Sequence, residues 1–325
     1  MKPRPPAAVA LPLAAAAGAG LLMPLQALIT SASAAHLGGV LPAGLLSMAT
    51  ALAIMAIASV SIPAARAGWG RVGSVWRNRT VPRWFLLSGL VGSLYIIAQT
   101  VSVSTIGLAL FAVAVVAART LSSILIDVIG FSPAGRRPIT RQRILGAVLL
   151  AAGASIAALG AGGRTGGAEG SGWPVLALAV VSGGLLSFQQ SMNGRSGQAY
   201  GSTATVTTIN YIAGSTGLLL ACLAWAAAAG PQSVLPDAAP LWWYYIGGPL
   251  GIMMVVTGVT LVPRLGSLLV GIGMVTGQLL GSLLLDVALH PEDVTAAEVL
   301  GTLATLLAVF VASWQRGGRP HPRKA

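Results

Sequence analysis

The residues of this chain that could do chemistry are few, and most stand alone inside long apolar stretches. Gln26, Gln99, Gln190, Asn193, Asn210 and Gln278 are amides, Tyr211 is a phenol, and Arg119 is a base set deep in an apolar run. Amides and a phenol can bind a polar solute but supply no nucleophile. A guanidinium presents a planar fork of five N–H donors that suits a carboxylate or a phosphate. Asp127 and Asp286 sit at the ends of apolar stretches, where an acid can carry a proton, hold a gate or anchor a helix. His36, His290 and His321 lie outside these stretches and Cys222 is solitary, so neither a metal cluster nor a cofactor is expected. There is no H-E-x-x-H, no G-x-S-x-G and no Walker A sequence, which argues against a membrane enzyme and against ATP as the energy source. Gly68-Trp69-Gly70-Arg71-Val72-Gly73 fits G-x-G-x-x-G, but no strand precedes it, so these glycines read as a flexible linker.

The elements that must hold these residues are set by composition. Of 325 residues 55% are hydrophobic and 8% charged, against roughly 25% charged in a soluble domain. A bilayer-spanning helix needs about 20 apolar residues. Ten such stretches are found, at 8–29, 40–62, 84–101, 105–127, 144–161, 174–193, 204–229, 243–262, 265–288 and 296–314. The expectation is an all-α membrane protein of ten transmembrane helices with no separate soluble domain. The basic start and Ser31-Ala32-Ser33-Ala34-Ala35 resemble a cleavable signal, but the internal repeat below favours keeping this stretch as the first span.

Charge orients the spans. Of 19 basic residues, 17 fall in the N-terminal segment, the tail and alternate connections, including Arg66, Arg71, Arg77, Arg79 and Arg83 after span 2 and Arg195 after span 6. The opposite side carries Arg164 with Glu169, Asp237, Glu292, Asp293 and Glu298. By the positive-inside rule both termini are cytoplasmic and the protein is multi-pass in the inner (plasma) membrane. The net charge of +12 is therefore topology, with some attraction to anionic headgroups, and no nucleic-acid partner is expected.

The chain repeats itself. Residues 84–128 align without a gap on 243–287, with 12 of 45 positions identical, among them Trp84 on Trp243, Gly107 on Gly266 and Asp127 on Asp286. Gly20-Leu21-Leu22 and Gln26 match Gly184-Leu185-Leu186 and Gln190 at an offset of 164. Two halves result, 1–163 and 164–325, the second ending in a basic cytoplasmic tail; together they form one membrane domain. Five spans per half is odd, so the second half enters from the opposite side, and Arg143 against Glu298 at matching positions fits that inversion. Inverted repeats give two packings of similar energy, the basis of alternating access.

Small residues recur every four positions in spans 4 and 9: Ala114, Ala118 and Ser122 in one, Gly273, Gly277 and Gly281 in the other. That spacing lets helix backbones approach closely, so these read as packing surfaces. Each buried polar residue needs a reason. For the amides the choice is between lining a central cavity and bonding helix to helix. For Arg119 it is between a substrate anion and a stem that snorkels to the interface or bonds Gln99.

The two five-helix halves, the Gly-Leu-Leu…Gln opening of each, and Gly277-Gln278-Leu279-Leu280-Gly281-Ser282-Leu283-Leu284-Leu285-Asp286 resemble the drug/metabolite transporter superfamily, in particular its bacterial EamA-like branch. The resemblance implies a ten-helix inverted repeat with a central cavity that moves a small metabolite or drug. Arg119 stands where the second half has Gln278, so a symmetric neutral site is not implied. The expectation is a secondary transporter of a small molecule, anionic or zwitterionic if Arg119 binds it, with proton or sodium coupling open. The alternatives are a channel or structural membrane subunit, and after them a membrane-embedded enzyme. Substrate, direction and oligomeric state are not legible.

Overall fold

A computed structural model of the chain describes residues 6–131, 141–160, 172–231, 240–253 and 267–313. Among these residues the regular structure is helical throughout. The first half holds α1 (Pro6–His36), α2 (Val40–Ser61), α3 (Pro63–Arg77), α4 (Gly89–Ile106), α5 (Leu108–Ile129) and α6 (Arg141–Gly160). The second holds α7 (Gly172–Tyr200), α8 (Thr203–Ala229), α9 (Ser267–Leu289) and α10 (Ala296–Ser313). Among the described residues six stretches are long and apolar enough to cross a bilayer: Ala14–His36, Val40–Ser61, Arg83–Ile106, Leu108–Ile126, Gly172–Tyr200 and Thr203–Ala229. Span 8 begins with a 3-10 turn, Trp242–Ile246, and is described only as far as Met253.

Helices prevail because a chain in hydrocarbon must satisfy its backbone polar groups internally. Hydroxyls within the spans follow the same rule and donate to carbonyls one turn back. Examples are Thr100 to Ile96 at 2.8 Å, Thr105 to Val101 at 2.7 Å and Thr120 to Val116 at 2.8 Å. Gly107 alone joins α4 to α5, at φ 83°, a conformation open to glycine but strained for other residues. α5 ends on Gly130 in the left-handed region, and the Phe131 N–H returns to the Ile126 carbonyl at 3.0 Å. α10 opens with a reciprocal capping box. Thr295 N–H donates to Glu298 Oε2 at 3.1 Å, and Glu298 N–H donates to Thr295 Oγ1 at 3.2 Å.

Two sequence expectations are corrected. The glycines at 68, 70 and 73 are not a linker but part of α3, an amphipathic helix that opens on Pro63. Its Ala65 and Gly68 are buried against α8, where Thr205 Oγ1 donates to the Ala65 carbonyl at 3.1 Å. A side-chain carbon at Gly68 would run into Ser202 and Thr205, so close docking selects glycine there. Arg195 does not begin a connection, because α7 continues to Tyr200. Its guanidinium donates to the Gly130 carbonyl at 3.3 Å and lies 5.0 Å from the Phe131 ring centroid. Glu298, assigned by charge to the acidic side, is 1% exposed inside the capping box.

The broadest interfaces pair α6 with α10, α1 with α9, α5 with α7 and α2 with α8, while α4 lies against α7 and α8. The central apolar cluster joins Ile106, Leu110, Val113 and Val116 to Leu279 of α9 and Ala308 of α10. Ala114, Ser122, Gly277 and Gly281 of the small-residue stripes sit on these interfaces. A side-chain carbon at Gly277 would strike the α1 backbone at Ala17, and one at Gly281 would strike Leu21. Ala114 packs with Phe111, Val115 and Ala179 between α5 and α7, and Gly184 approaches Ser122.

Candidate functional site

A cavity of about 820 Å³ lies among α1, α2, α4, α5, α7 and α8, with Gly248 and Gly251 of span 8 and Met274 of α9 also on its wall. Its inner end is lined by Met23, Gln26, Tyr95, Arg119 and Gln190. From there it follows α7 and α8 past Asn193, Gly197 and Thr207 to Gln198 and Thr203, both exposed beside the α7–α8 turn. The α3 helix docks at that turn, and Arg71 donates to the Tyr200 carbonyl at 3.3 Å. The mouth therefore opens on the side that carries the basic connections.

Of the eight cavity candidates named from sequence, the structure brings six together on this surface: Gln26, Arg119, Gln190, Asn193, Asn210 and Tyr211. Gln99 is 3% exposed within α4 and does not reach the cavity. Gln278, also 3% exposed, faces a separate void of about 10 Å³ lined by Met23, Pro24, Tyr95 and Phe111. The Asp127 side chain lies outside the described residues.

The six divide by what their polar atoms already hold. Asn210 is consumed by its neighbours. It donates to Asn193 Oδ1 at 2.7 Å, and its own Oδ1 accepts from Ser88 Oγ at 3.0 Å and from Gln189 Nε2 at 3.0 Å. Ser88 Oγ also lies 3.1 Å from Asn193 Oδ1. This network ties the start of α4 to α7 and α8. By contrast, the side chains of Gln26, Arg119, Gln190 and Tyr211 make no hydrogen bond or ion pair among the described residues, although each borders the cavity. Arg119 is not hydrogen-bonded to Gln99; it lies midway along α5, where its carbonyl accepts from Ser187 Oγ of α7 at 2.6 Å.

Asp286 lies outside the cavity lining. Its carboxylate accepts from the backbone N–H groups of Leu108 at 3.4 Å and Ala109 at 2.6 Å, fastening α9 to the first turn of α5. A carboxylate at a helix N-terminus satisfies donors that the helix itself cannot. Tyr244 is buried, and its ring lies 5.5 Å from that of His36.

Sequence reasoning missed Ser88, Gln198, Thr203 and Thr207. Ser88 precedes α4 with no periodic signal. The other three sit near a turn where polar residues are expected regardless of function.

Comparison with protein-family models matches residues 11–156 and 174–311 to the family described as "Putative inner membrane exporter, YdcZ". The chain belongs to this family. The two matched regions fall one in each half, in keeping with a drug/metabolite transporter of two fused, related halves. The protein is accordingly a multi-pass inner-membrane protein of a transporter family rather than of an enzyme family. No curated protein matches the chain.

Proposed function

We propose that the protein is a secondary transporter that moves a small anionic or zwitterionic metabolite across the inner membrane by alternating access. The observation that carries this reading is the charge of Arg119, held midway along the apolar helix α5 on the wall of a cavity of about 820 Å³, with no hydrogen-bond or ion-pair partner among the described residues. Placing an arginine at a helix centre costs about 2.5 kcal/mol or more. A cavity that admits water and an anion removes the need to meet that cost with protein groups. Gln26 and Gln190, also unpartnered, add neutral donors and acceptors around the fork, enough to orient a carboxylate or phosphate.

We further read the ten spans as two inverted five-helix repeats, 1–163 and 164–325, with both termini cytoplasmic. Exchanging the halves turns the α1–α9 interface into α7–α5 and maps α2–α8 and α6–α10 onto themselves, which supports the repeat. A finer equivalence also supports it: a side-chain carbon at Gly89 would strike backbone at Asn210 and Gly214, and one at its counterpart Gly248 would strike backbone at Ser47 and Ala51. With the basic side cytoplasmic, the conformation described is open inward, and Asp286 acts as a latch on the closed outer end. A carboxylate already committed to two backbone donors fits a gate better than a proton carrier.

Proteoliposomes test the reading. Vesicles preloaded with radiolabelled glutamate, lactate or inorganic phosphate should show saturable, counterflow-accelerated efflux for at least one of the three. Arg119→Gln should reduce that efflux at least 100-fold, and Arg119→Lys should restore part of it, since an ammonium keeps the charge but lacks the fork. Flux that never saturates would mark a channel. Undiminished efflux in Arg119→Gln would remove the anion site.

A further inference from the structure

Arg119 and Gln278 occupy matching positions in the two halves but stand in unlike surroundings. Arg119 borders the open cavity of about 820 Å³, whereas Gln278 is sealed beside a void of about 10 Å³. The ends of the molecule differ in the same sense. Gly194 and Gly197 line the path to the mouth, while their counterparts at the offset of 164, Thr30 and Ser33, are each 2% exposed. The described conformation thus has one half opened around its site and the other half closed around the equivalent site.

In an inverted repeat, turning the carrier exchanges these surroundings. Gln278 would then border an outward cavity, and Arg119 would enter a site like the one that now holds Gln278. A void of about 10 Å³ has room for at most one water. The residues lining that void have no acid among their counterparts in the other half, and a guanidinium does not lose its proton in proteins. An amide tolerates such a site, but an unaccompanied guanidinium leaves a buried charge without a partner, a strongly destabilising arrangement. A bound anion that travels with Arg119 supplies that partner.

We infer that the protein is an obligatory anion exchanger: empty, it is held open toward the basic-loop side by Arg119, and it turns only when an anion neutralises that residue. The inference rests on the anion-transporter reading above and deepens it by assigning the mode of transport. The placement of one charge in one half sets both the resting orientation and the rule that an anion must ride in each direction. Gln278 becomes the residue that permits the inward-open state, because the closed half must hold a neutral side chain there.

Orientation can be read without knowing the physiological substrate. In a Cys222→Ser background, Gln198→Cys reports the inner mouth and Ser33→Cys the outer end, each by its maleimide labelling rate in purified protein. With Arg119 present and no added anion, Gln198→Cys should label rapidly and Ser33→Cys slowly. Arg119→Gln should accelerate Ser33→Cys labelling about tenfold or more, and Arg119→Lys, which keeps the charge, should not. Adding glutamate or inorganic phosphate, whichever is transported, should accelerate it only when Arg119 is intact. The double variant Arg119→Gln/Gln278→Arg should reverse the pattern, with the outer reporter fast and the inner one slow. Equal Ser33→Cys rates with and without Arg119 would overturn the inference, and the Arg119→Gln and Arg119→Lys pair decides it even if the double variant does not fold. Saturable efflux alongside unchanged labelling would reject obligatory exchange while leaving the transporter reading in place. Absent efflux would reject the transporter reading itself.

Discussion

Two sets of polar side chains share the wall of one cavity and differ in what they hold. On that wall Asn193, Asn210 and Gln189 are bonded together and, through the buried Ser88 behind it, fasten α4 to α7 and α8. Gln26, Gln190, Arg119 and Tyr211 border the same space with no such partner among the described residues. Residue type does not separate the sets, since amides occur in both. Partner accounting does: a polar group whose bonds are spent positions helices, and one left facing water in a membrane-depth cavity is available to a solute.

The comparison can be broken by substitution. Asn210→Leu should have the largest effect on stability. It leaves Ser88, Gln189 and Asn193 short of a partner, and at about 0.6 kcal/mol per interhelical bond the loss is about 2 kcal/mol, read as a drop of several degrees in Tm. Transport per folded molecule should survive in the fraction that folds. Gln26→Ala and Gln190→Ala should do the opposite, leaving Tm within a degree or two while weakening transport about tenfold each, the scale of one hydrogen bond to an ionised group. Gln99→Ala should change transport less than twofold, because Gln99 does not reach the cavity. A fall in transport as large as that of Gln190→Ala would mean that partner accounting had sorted Gln99 wrongly.

The spans were legible because hydrocarbon imposes a length of about 20 apolar residues, and the helices coincide with most of the stretches read from sequence. α3 was not legible: Gly68, Gly70 and Gly73 read as helix breakers, and the helix is selected by docking of Ala65 and Gly68 against Thr205, a contact across 140 positions. The end of α7 was misplaced because a charge reads as a boundary, yet the Arg195 guanidinium reaches the Gly130 carbonyl and the Phe131 ring. The Thr295-x-x-Glu298 box was present in the spacing, but Glu298 was read by its sign alone. In the site, polarity within a span picked out Gln26, Arg119 and Gln190 together with Gln99 and Gln278. Separating them requires knowing which helix faces turn inward, which packing decides and a twenty-residue apolar stretch does not encode.

Cysteine accessibility tests the central claim most directly, because it reads the cavity wall without a substrate. In the Cys222→Ser background, single cysteines replace Gln26, Arg119, Gln190, Gln99 and Gln278 in turn, and a small water-soluble maleimide is added to the purified protein. Cysteines at 26, 119 and 190 should label at rates within about tenfold of one at Gln198, and those at 99 and 278 should remain unlabelled over the same interval. Silence at 119 with labelling at 99 or 278 would contradict the account, since the unpartnered charge would then not face the cavity.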